Sequence, residues 1–351
     1  MTTLRKQIKN SISKIRVFED NRDRNGAARR HLKVVEQEKG KLSASDKKRC
    51  DEYAKEVLGS KSYAPWLYTY TAFSGKFKEG WIPDNYYGQH VIPNINGDYG
   101  KICHKKAVIE SLIKVSHSID ICYYTNQLFI DTNYQILNEN SIKNLIFAQS
   151  DKVVFKLETS EQGKGIYFFD ENNFDVSKIK RLGNGVFQNY ISQHPYFFNF
   201  TRNSVATIRI TTVCNDLGEI SVRAGWLKFA QGDDTHCMGD ATIKVPYDIK
   251  TGKLYDHAYF GSWKSMTKLP DNDYSFAQTQ LPQYDKCISE VKRMHSNIPF
   301  ARCLGWDLMV DDADNVVVIE VNGGHSGIRF TEAVQGPCFK GLNWENLHKI
   351  N

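Results

Sequence analysis

The stretch GWDLMVDDADNVVVIEVNGG at residues 305–324 constrains this chain more than any other part of it. Two β-rich runs, Trp306–Val310 and Val316–Val321, flank the turn formers Asp311, Asp312, Ala313, Asp314 and Asn315, which predicts a β-hairpin. Successive strand side chains alternate faces, so Glu320 and Asn322 emerge on one side and Val317, Ile319 and Val321 on the other. Hairpin pairing brings Asp307, near the start of the first strand, beside Glu320 and Asn322. Two carboxylates and an amide oxygen on one sheet face are hard-oxygen ligands suited to magnesium. That ion takes one or two protein carboxylates and completes its shell with water and substrate phosphate. The feature points to a metal–nucleotide site. The acidic turn partly mimics an EF-hand loop but lacks the central Gly and the regular oxygen spacing. Taken alone, the stretch reads by default as a plain surface hairpin, so its meaning rests on the remainder of the chain.

Bulk properties set the frame. At 351 residues, 41% hydrophobic and 25% charged, the chain has the composition of a soluble globular protein with ample core. Its 46 basic and 40 acidic residues leave a net charge of +6, which suits anionic small molecules such as nucleotides or uronic acids. No basic stripe with interleaved aromatics argues for nucleic acid. The eight cysteines (50, 103, 122, 214, 237, 287, 303 and 338) are scattered without CxxC or zinc-like spacing, and reduced thiols are the simplest reading. Met1–Asn10 is polar and basic with no apolar core after it, so no signal peptide is expected. No run approaches the length needed to cross a bilayer. The expectation is a cytoplasmic protein without a transmembrane segment, with peripheral membrane contact left open and its oligomeric state unreadable.

Organisation changes near residue 95. The first part is rich in Lys, Arg and Glu and helical in pattern: Ser43-Ala44-Ser45-Asp46 offers a helix start, Cys50, Tyr53, Ala54, Val57 and Leu58 a stripe, and Gly59 a stop. Arg29, Arg30 and Lys33 read as a solvated face, and Trp66–Trp81 is aromatic-rich without an assignable role. Beyond Pro93, helices and strands alternate. Val108, Leu112 and Val115 suit a helix, and Ile119, Ile121 and Tyr123 a following strand.

Two further stretches carry chemistry. A strand holding Lys156 runs into a polar loop with Gly163, Lys164 and Gly165 and then into a second strand. Glycines let a backbone approach phosphate oxygens, and Lys164 adds charge, although neither a Walker A loop nor a GxGxxG is present. An ordinary surface turn fits that loop equally well. Lys156 is more informative, because a strand Lys costs burial energy unless it faces an anion or solvent. Later, Ala206, Ile208 and Ile210 share one face of a strand, while Thr207, Arg209 and Thr211 share the other, which fits a cleft wall with Arg209 as its cation and equally an exposed strand Arg.

The order of these elements resembles the ATP-grasp superfamily. Within it, the chain is similar to the ATP-grasp family associated with bacterial sugar transfer and surface-polysaccharide gene clusters, through QHP (193–195), SVATIRITT (204–212), DIKTGKL (248–254) and GWD…IEVN (305–322). The similarity covers roughly residues 95–340. It implies an α+β ATP-grasp fold, two α/β subdomains clasping ATP, with an N-terminal mainly helical extension. The corresponding division is 1–94 (helical region), 95–150 (N-terminal subdomain), 151–192 (lid) and 193–351 (catalytic subdomain). The resemblance further implies that Lys156 contacts ATP phosphates and the adenine edge, and that Gly163, Lys164 and Gly165 close over the β- and γ-phosphates. The hinge Gln188, Asn189 and Ile191 would read adenine through its backbone, and His194 would reach ribose. Asp307, Glu320 and Asn322 would hold Mg2+, with Arg209 near the transferred phosphate.

Three departures stand out: Gln188 replaces the usual acidic hinge residue, Ala206-Thr207 replaces Asn-Thr, and Lys228 occupies a position often held by Arg, which keeps charge but loses bidentate geometry. The implied reaction is carboxylate–amine ligation, in which an acyl phosphate forms from ATP and an amine attacks it while Arg209 and Lys228 stabilise the oxyanion. The implied substrates are a free or glycan-borne sugar acid and an amine. A phosphotransferase on the same fold and a non-catalytic nucleotide- or glycan-binding module are the alternatives. Tyr255, Tyr259, Trp263 and His325 are candidates for the acceptor side, whereas His236 and His295 read as structural.

Overall fold

The computed structural model describes residues 2–159, 165–202, 204–230, 242–269, 274–277 and 279–350. They form two compact units: Met1–Gly97 with Tyr259–Met266 and His325–Asn351, and Asp98–Ala258 with Thr267–Gly324.

The first unit is built on the helices Thr2–Lys39, Ala44–Glu56 and Ala64–Ser74. Ser43 caps the second, its hydroxyl accepting from the Asp46 amide at 3.0 Å, and Gly59 follows at φ 82°. The aromatic stretch 66–81 is core: Trp66, Tyr70 and Trp81 are fully buried, and Trp263 stacks on His31 at 4.4 Å. Tyr259 packs on Phe73 and Phe330, so Tyr259 and Trp263, expected on the acceptor side, are core aromatics of the first unit. Glu332, in the helix Arg329–Val334, ties segments distant in sequence. Its carboxylate accepts from the amides of Ile82 (3.1 Å) and Cys338 (2.9 Å), and its carbonyl accepts from the Trp81 indole at 2.8 Å.

The second unit holds two antiparallel sheets. The first contains β1 (Asp120–Thr125), β2 (Leu128–Asp131), β3 (Lys152–Leu157), β4 (Ile166–Asp170) and β5 (Gly185–Asn189) in the order β2-β1-β5-β3-β4. Its inner face packs Phe155, Phe169 and Phe187 against Ile142, Ile146 and Ile179 of the helices Glu139–Ile146 and Val176–Leu182. The helix Lys106–Ile113 buries Ile109 and Ile113 and leaves Val108 and Leu112 half-exposed, so its apolar face is turned by one residue from the expected stripe.

The second sheet uses β6 (Thr207–Cys214), β7 (Ile220–Ala230), β8 (Thr242–Pro246), β11 (Cys303–Val310) and β12 (Val316–Asn322), adjacent in the order β8-β7-β6-β11-β12. The two-residue strands β9 (Ala258–Tyr259) and β10 (Ser265–Met266) bracket the excursion into the first unit. Every residue of β6 and β11 is buried, which requires cover on both faces. One face is covered by the amphipathic helix Tyr284–Ser296, whose Cys287, Val291, Met294 and His295 are buried. A chain of hydrogen bonds links it to the sheet: the Trp306 indole donates to the Thr212 hydroxyl (2.7 Å), and that hydroxyl to His295 Nδ1 (2.7 Å). His295 Nε2 donates in turn to the Ala301 carbonyl (3.0 Å). His295 is therefore the structural histidine expected from the sequence.

Short polar motifs splice these elements. The Gln193 side chain donates to the carbonyls of Thr201 (3.1 Å) and Ser204 (3.2 Å) and accepts from the Ala206 amide (2.8 Å), joining the exit of β5 to the start of β6. Asp248 organises its turn by accepting from the amides of Lys250 and Thr251, both at 2.9 Å. Asp311 does the same at the hairpin tip, accepting from Ala313 (3.0 Å) and Asn315 (2.6 Å). The acidic cluster at 311–315 thus builds a turn.

Burial lowers the His295 pKa from 6.5 to about 4. The stability tied to its neutral form is fully present above pH 6.5 and is lost as pH falls towards 4, amounting to roughly 3 kcal/mol at the acid limit. Urea unfolding of wild type and His295→Gln should show wild type losing more stability than the variant over that interval. Parallel losses would contradict a neutral buried imidazole.

Candidate functional site

The site lies on the face of the second sheet opposite the Tyr284–Ser296 helix. Strand register sets it: Arg209 on β6 pairs with Asp307 on β11, and Asp307 pairs with Glu320 on β12. Directly opposed residues point to the same side, so these three form one row across the sheet. A bulge leaves Ile319 without a partner, which restores Glu320 and Asn322 to the row's face after the all-apolar run Val316–Val318. Asn322 lies opposite Gly305, which contributes no side chain.

Asp307 is the centre of the row. It is 2% exposed, and Arg209 grips it through Nε–Oδ1 (2.5 Å) and Nη2–Oδ2 (2.9 Å), while Lys228 Nζ donates to Oδ2 at 2.8 Å. Burial alone raises the Asp307 pKa, but the two adjacent cations outweigh it and hold the carboxyl below its ordinary value. Arg209 is itself fixed. Its guanidinium lies 5.3 Å from the Trp226 ring centre, and the Tyr247 hydroxyl donates to its carbonyl at 2.8 Å. That hydroxyl has room only because position 225 is Gly, where a Cβ would sit 2.0 Å from it.

The cleft beside this row is lined by Glu320, Val318 and Val321 from β12, Lys156 from β3, and Val186 and Gln188 from β5. Lys106, Ile109, Glu110 and Asp120 also line it; none of these four was singled out from the sequence. The only local signal was Lys106 and Glu110, four residues apart on one helix face. Burial, reinforced by Lys106, lowers the Lys156 pKa to about 8, against the pull of Asp120, Glu320 and Glu110. Burial and then the charge of Asp120 raise the Glu110 pKa to about 8, and burial raises Asp120 against the pull of Gln188, Tyr123, Lys156 and Lys106. Gln188 donates to Asp120 at 2.7 Å, while its Oε1 is buried without a partner in the cleft wall. Asp120, one strand away, thus supplies carboxylate chemistry beside the hinge position where this chain carries Gln188.

The remaining sequence-selected residues divide clearly. The Asn189 amide is taken by the Ile119 carbonyl (2.8 Å), and Ile191 packs on Ile119, Met309, Val317 and Ile319. His194 Nδ1 accepts from the Tyr196 amide (3.1 Å), and its Nε2 lies 3.4 Å from Asp314, so the imidazole serves the hairpin tip and is not part of the cleft lining. Gly165 is at φ 81° immediately before β4, whereas Gly163, Lys164 and His236 lie outside the described residues. His325 pairs with Asp84 and Arg24 within the first unit, and Tyr255 is exposed. After Asn322 the chain needs glycine: a Cβ on Gly323 would meet the Gly100 carbonyl at 2.6 Å and Cys103 Sγ at 2.7 Å.

The residues present fit a magnesium ion. Asp307 uses one lone pair on each oxygen for Arg209 and one more on Oδ2 for Lys228, leaving acceptor capacity on Oδ1, and Glu320 brings a second carboxylate to the same row. Among the described residues no cluster of three or more His, Cys, Asp or Glu could cage a metal.

Two antiparallel sheets, a cleft Lys on one and an Arg–Asp–Glu-x-Asn row on the other define a nucleotide-clasping protein of the ATP-grasp class. The sugar-transfer associated ATP-grasp family matches residues 86–346, and the chain belongs to it. ATP with Mg2+ is the standard ligand pair of that fold. No curated protein matches the sequence. Among solved structures, the chain is similar to the ATP-grasp ligase PsnB complexed with a minimal precursor (11% identity, 73% of this chain and 62% of that one, TM-score 0.40). It is also similar to the biotin carboxylase domain of Hydrogenobacter thermophilus 2-oxoglutarate carboxylase (12%, 74% and 47%, 0.43). A third is the L-amino acid ligase from Bacillus licheniformis (13%, 81% and 53%, 0.39). The chain spans less than two thirds of the length of each.

A phosphate held by Lys156 would be held by its ammonium form, so in that case nucleotide affinity should fall as pH rises through about 8. Titration with ADP should show that decline in wild type. Lys156→Met should bind at least about tenfold more weakly at neutral pH with a flatter profile. An unchanged profile in the variant would remove Lys156 from the phosphate site.

Proposed function

We propose that this chain is an ATP-dependent carboxylate–amine ligase that works through an acyl phosphate. The finer reading is that the acid is a sugar acid, free or within a glycan, and the amine an amino acid or amino alcohol, in the assembly of a surface polysaccharide. The observation that carries the ligase reading is the row Arg209–Asp307–Glu320 with Lys228. Two cations held by one buried carboxylate stand beside the hard-oxygen donor Glu320, an arrangement that offers both donors for anionic oxygens and a carboxylate for a metal ion. The proposed division of the chain is a helical region (1–94), an N-terminal subdomain (95–150), a lid (151–192) and a catalytic subdomain (193–351).

In this reading Lys156 and Lys106 neutralise phosphate oxygens, and Gly163, Lys164 and Gly165 close over them. Val186, Val318 and Val321 offer apolar walls for a planar base, and Gln188 Oε1 offers the acceptor for its exocyclic amine. Asp307, Glu320 and Asn322 would hold Mg2+, which supplies Lewis-acid neutralisation of the phosphates. The substrate carboxylate displaces ADP at the γ-phosphorus, the amine then attacks the acyl carbon, and phosphate leaves. Arg209 and Lys228, held in place by Asp307, stabilise the oxyanion of that second step.

The test is ADP release with ATP and magnesium against a panel of uronic acids and amines, with and without hydroxylamine. Acid-dependent release with a hydroxamate product is expected, and Glu320→Ala should lower kcat by about two orders of magnitude or more. A near-normal rate in Glu320→Ala would sink the metal assignment. ADP release without any hydroxamate would replace the ligase with a phosphotransferase.

A further inference from the structure

The first unit has an open surface cleft of about 610 Å³ of its own. Four cations from three separate segments line it. Arg49 comes from the helix Ala44–Glu56, Lys76 and Lys78 from the stretch after the helix Ala64–Ser74, and Lys340 from the stretch after the helix Arg329–Val334. A solvated face would draw its charges from one element, whereas these converge. Against them the lining sets one carboxylate, Glu79. Among the described residues none of the four cations has an ion-pair partner within 4.0 Å, although Lys48, next to Arg49, pairs with Glu52 at 3.7 Å. Like charges gathered in this way repel one another, a cost that a bound anion removes.

The cleft is held in shape by the unit's core. Phe77 packs edge-on against Tyr53 (5.4 Å between ring centres) and Trp81 (6.0 Å). Lys78 Nζ donates to the Gly336 carbonyl at 3.1 Å, which orients the ammonium and leaves two further N–H groups. The Lys340 stem lies along Gly80, where a Cβ would stand 3.2 Å from its Cγ. Just beyond both lining stretches, the Glu332 carboxylate ties the Ile82 and Cys338 amides together.

The remaining lining selects among anions. Phe77 and Pro337 offer apolar surface, which packs on the C–H face of a sugar ring and gives nothing to a bare phosphate chain. Glu79 would repel a compact polyphosphate but accepts from sugar hydroxyls, and Gln335 adds a side-chain amide. We propose that this cleft binds an acidic saccharide, with its carboxylates or phosphates on Arg49, Lys76, Lys78 and Lys340 and a sugar ring against Phe77. The proposal is independent of the reaction assigned above, because the cleft contains none of the residues given a part in it.

Calorimetric titration of the full chain tests it. Trigalacturonate or glucose bisphosphate should bind, the tighter of the two naming the acidic group, and neutral cellotriose should not. Added salt should weaken the binding by screening the cations. Lys76 and Lys340 are both exposed, so Lys76→Glu/Lys340→Glu should keep the fold and its ADP affinity while binding the acidic sugar at least about tenfold more weakly. Lys156→Met should bind that sugar as wild type does. No binding of either acidic sugar would overturn the proposal, as would equal affinity in wild type and the double variant. Loss of binding in Lys156→Met would move the ligand to the nucleotide cleft, and tripolyphosphate binding tighter than both sugars would make the cleft a phosphate site; either result would equally overturn it.

Discussion

The second sheet is organised around one buried carboxylate. Asp307 sits almost wholly out of water, and an isolated carboxylate there would cost several kcal/mol. Arg209 meets it with a two-point grip and Lys228 adds a third bond, so the charge is both paired and hydrogen-bonded. Such a cluster contributes more to geometry than to net stability. Its geometry is fixed from several sides: the Tyr247 hydroxyl on the Arg209 carbonyl, the Gly225 gap that admits it, and the Trp226 ring near the guanidinium. Arg209 and Lys228 are therefore held in position before any substrate arrives, the condition for stabilising charge that develops during a reaction.

Across the cleft the electrostatics differ. Burial lowers the Lys156 pKa to about 8 against the pull of the nearby acids, while burial and the charge of Asp120 raise Glu110 to about 8. Gln188 joins this network through Asp120 and keeps one buried acceptor unused. The departure from an acidic hinge is thus accompanied by an acid supplied from β1.

The sequence carried the hairpin and its face because alternation and turn chemistry are local. Asp307, Glu320 and Asn322 are brought to one face by strand pairing that neighbouring residues specify. It did not carry the bulge at Ile319: Val316–Val318 is apolar throughout, so alternation gives no register there. Lys106, Glu110 and Asp120 escaped notice because their surroundings come from strands tens of residues away. His194 was placed near ribose from its position after the hinge, but its Nδ1 accepts from the Tyr196 amide and its Nε2 lies beside Asp314 at the hairpin tip. The aromatic stretch 66–81 likewise gained its meaning only from Trp263 and Glu332, which return to it from the far end of the chain.

The central claim is that Asp307 serves both its two cations and a magnesium ion. Calorimetric titration of ADP with and without magnesium, in wild type and in Asp307→Asn of verified fold, addresses it directly. Magnesium should tighten ADP at least about tenfold in wild type and have little effect in the variant, whose metal-free ADP binding persists because Arg209 and Lys228 remain. An equal magnesium effect in both proteins would contradict the account.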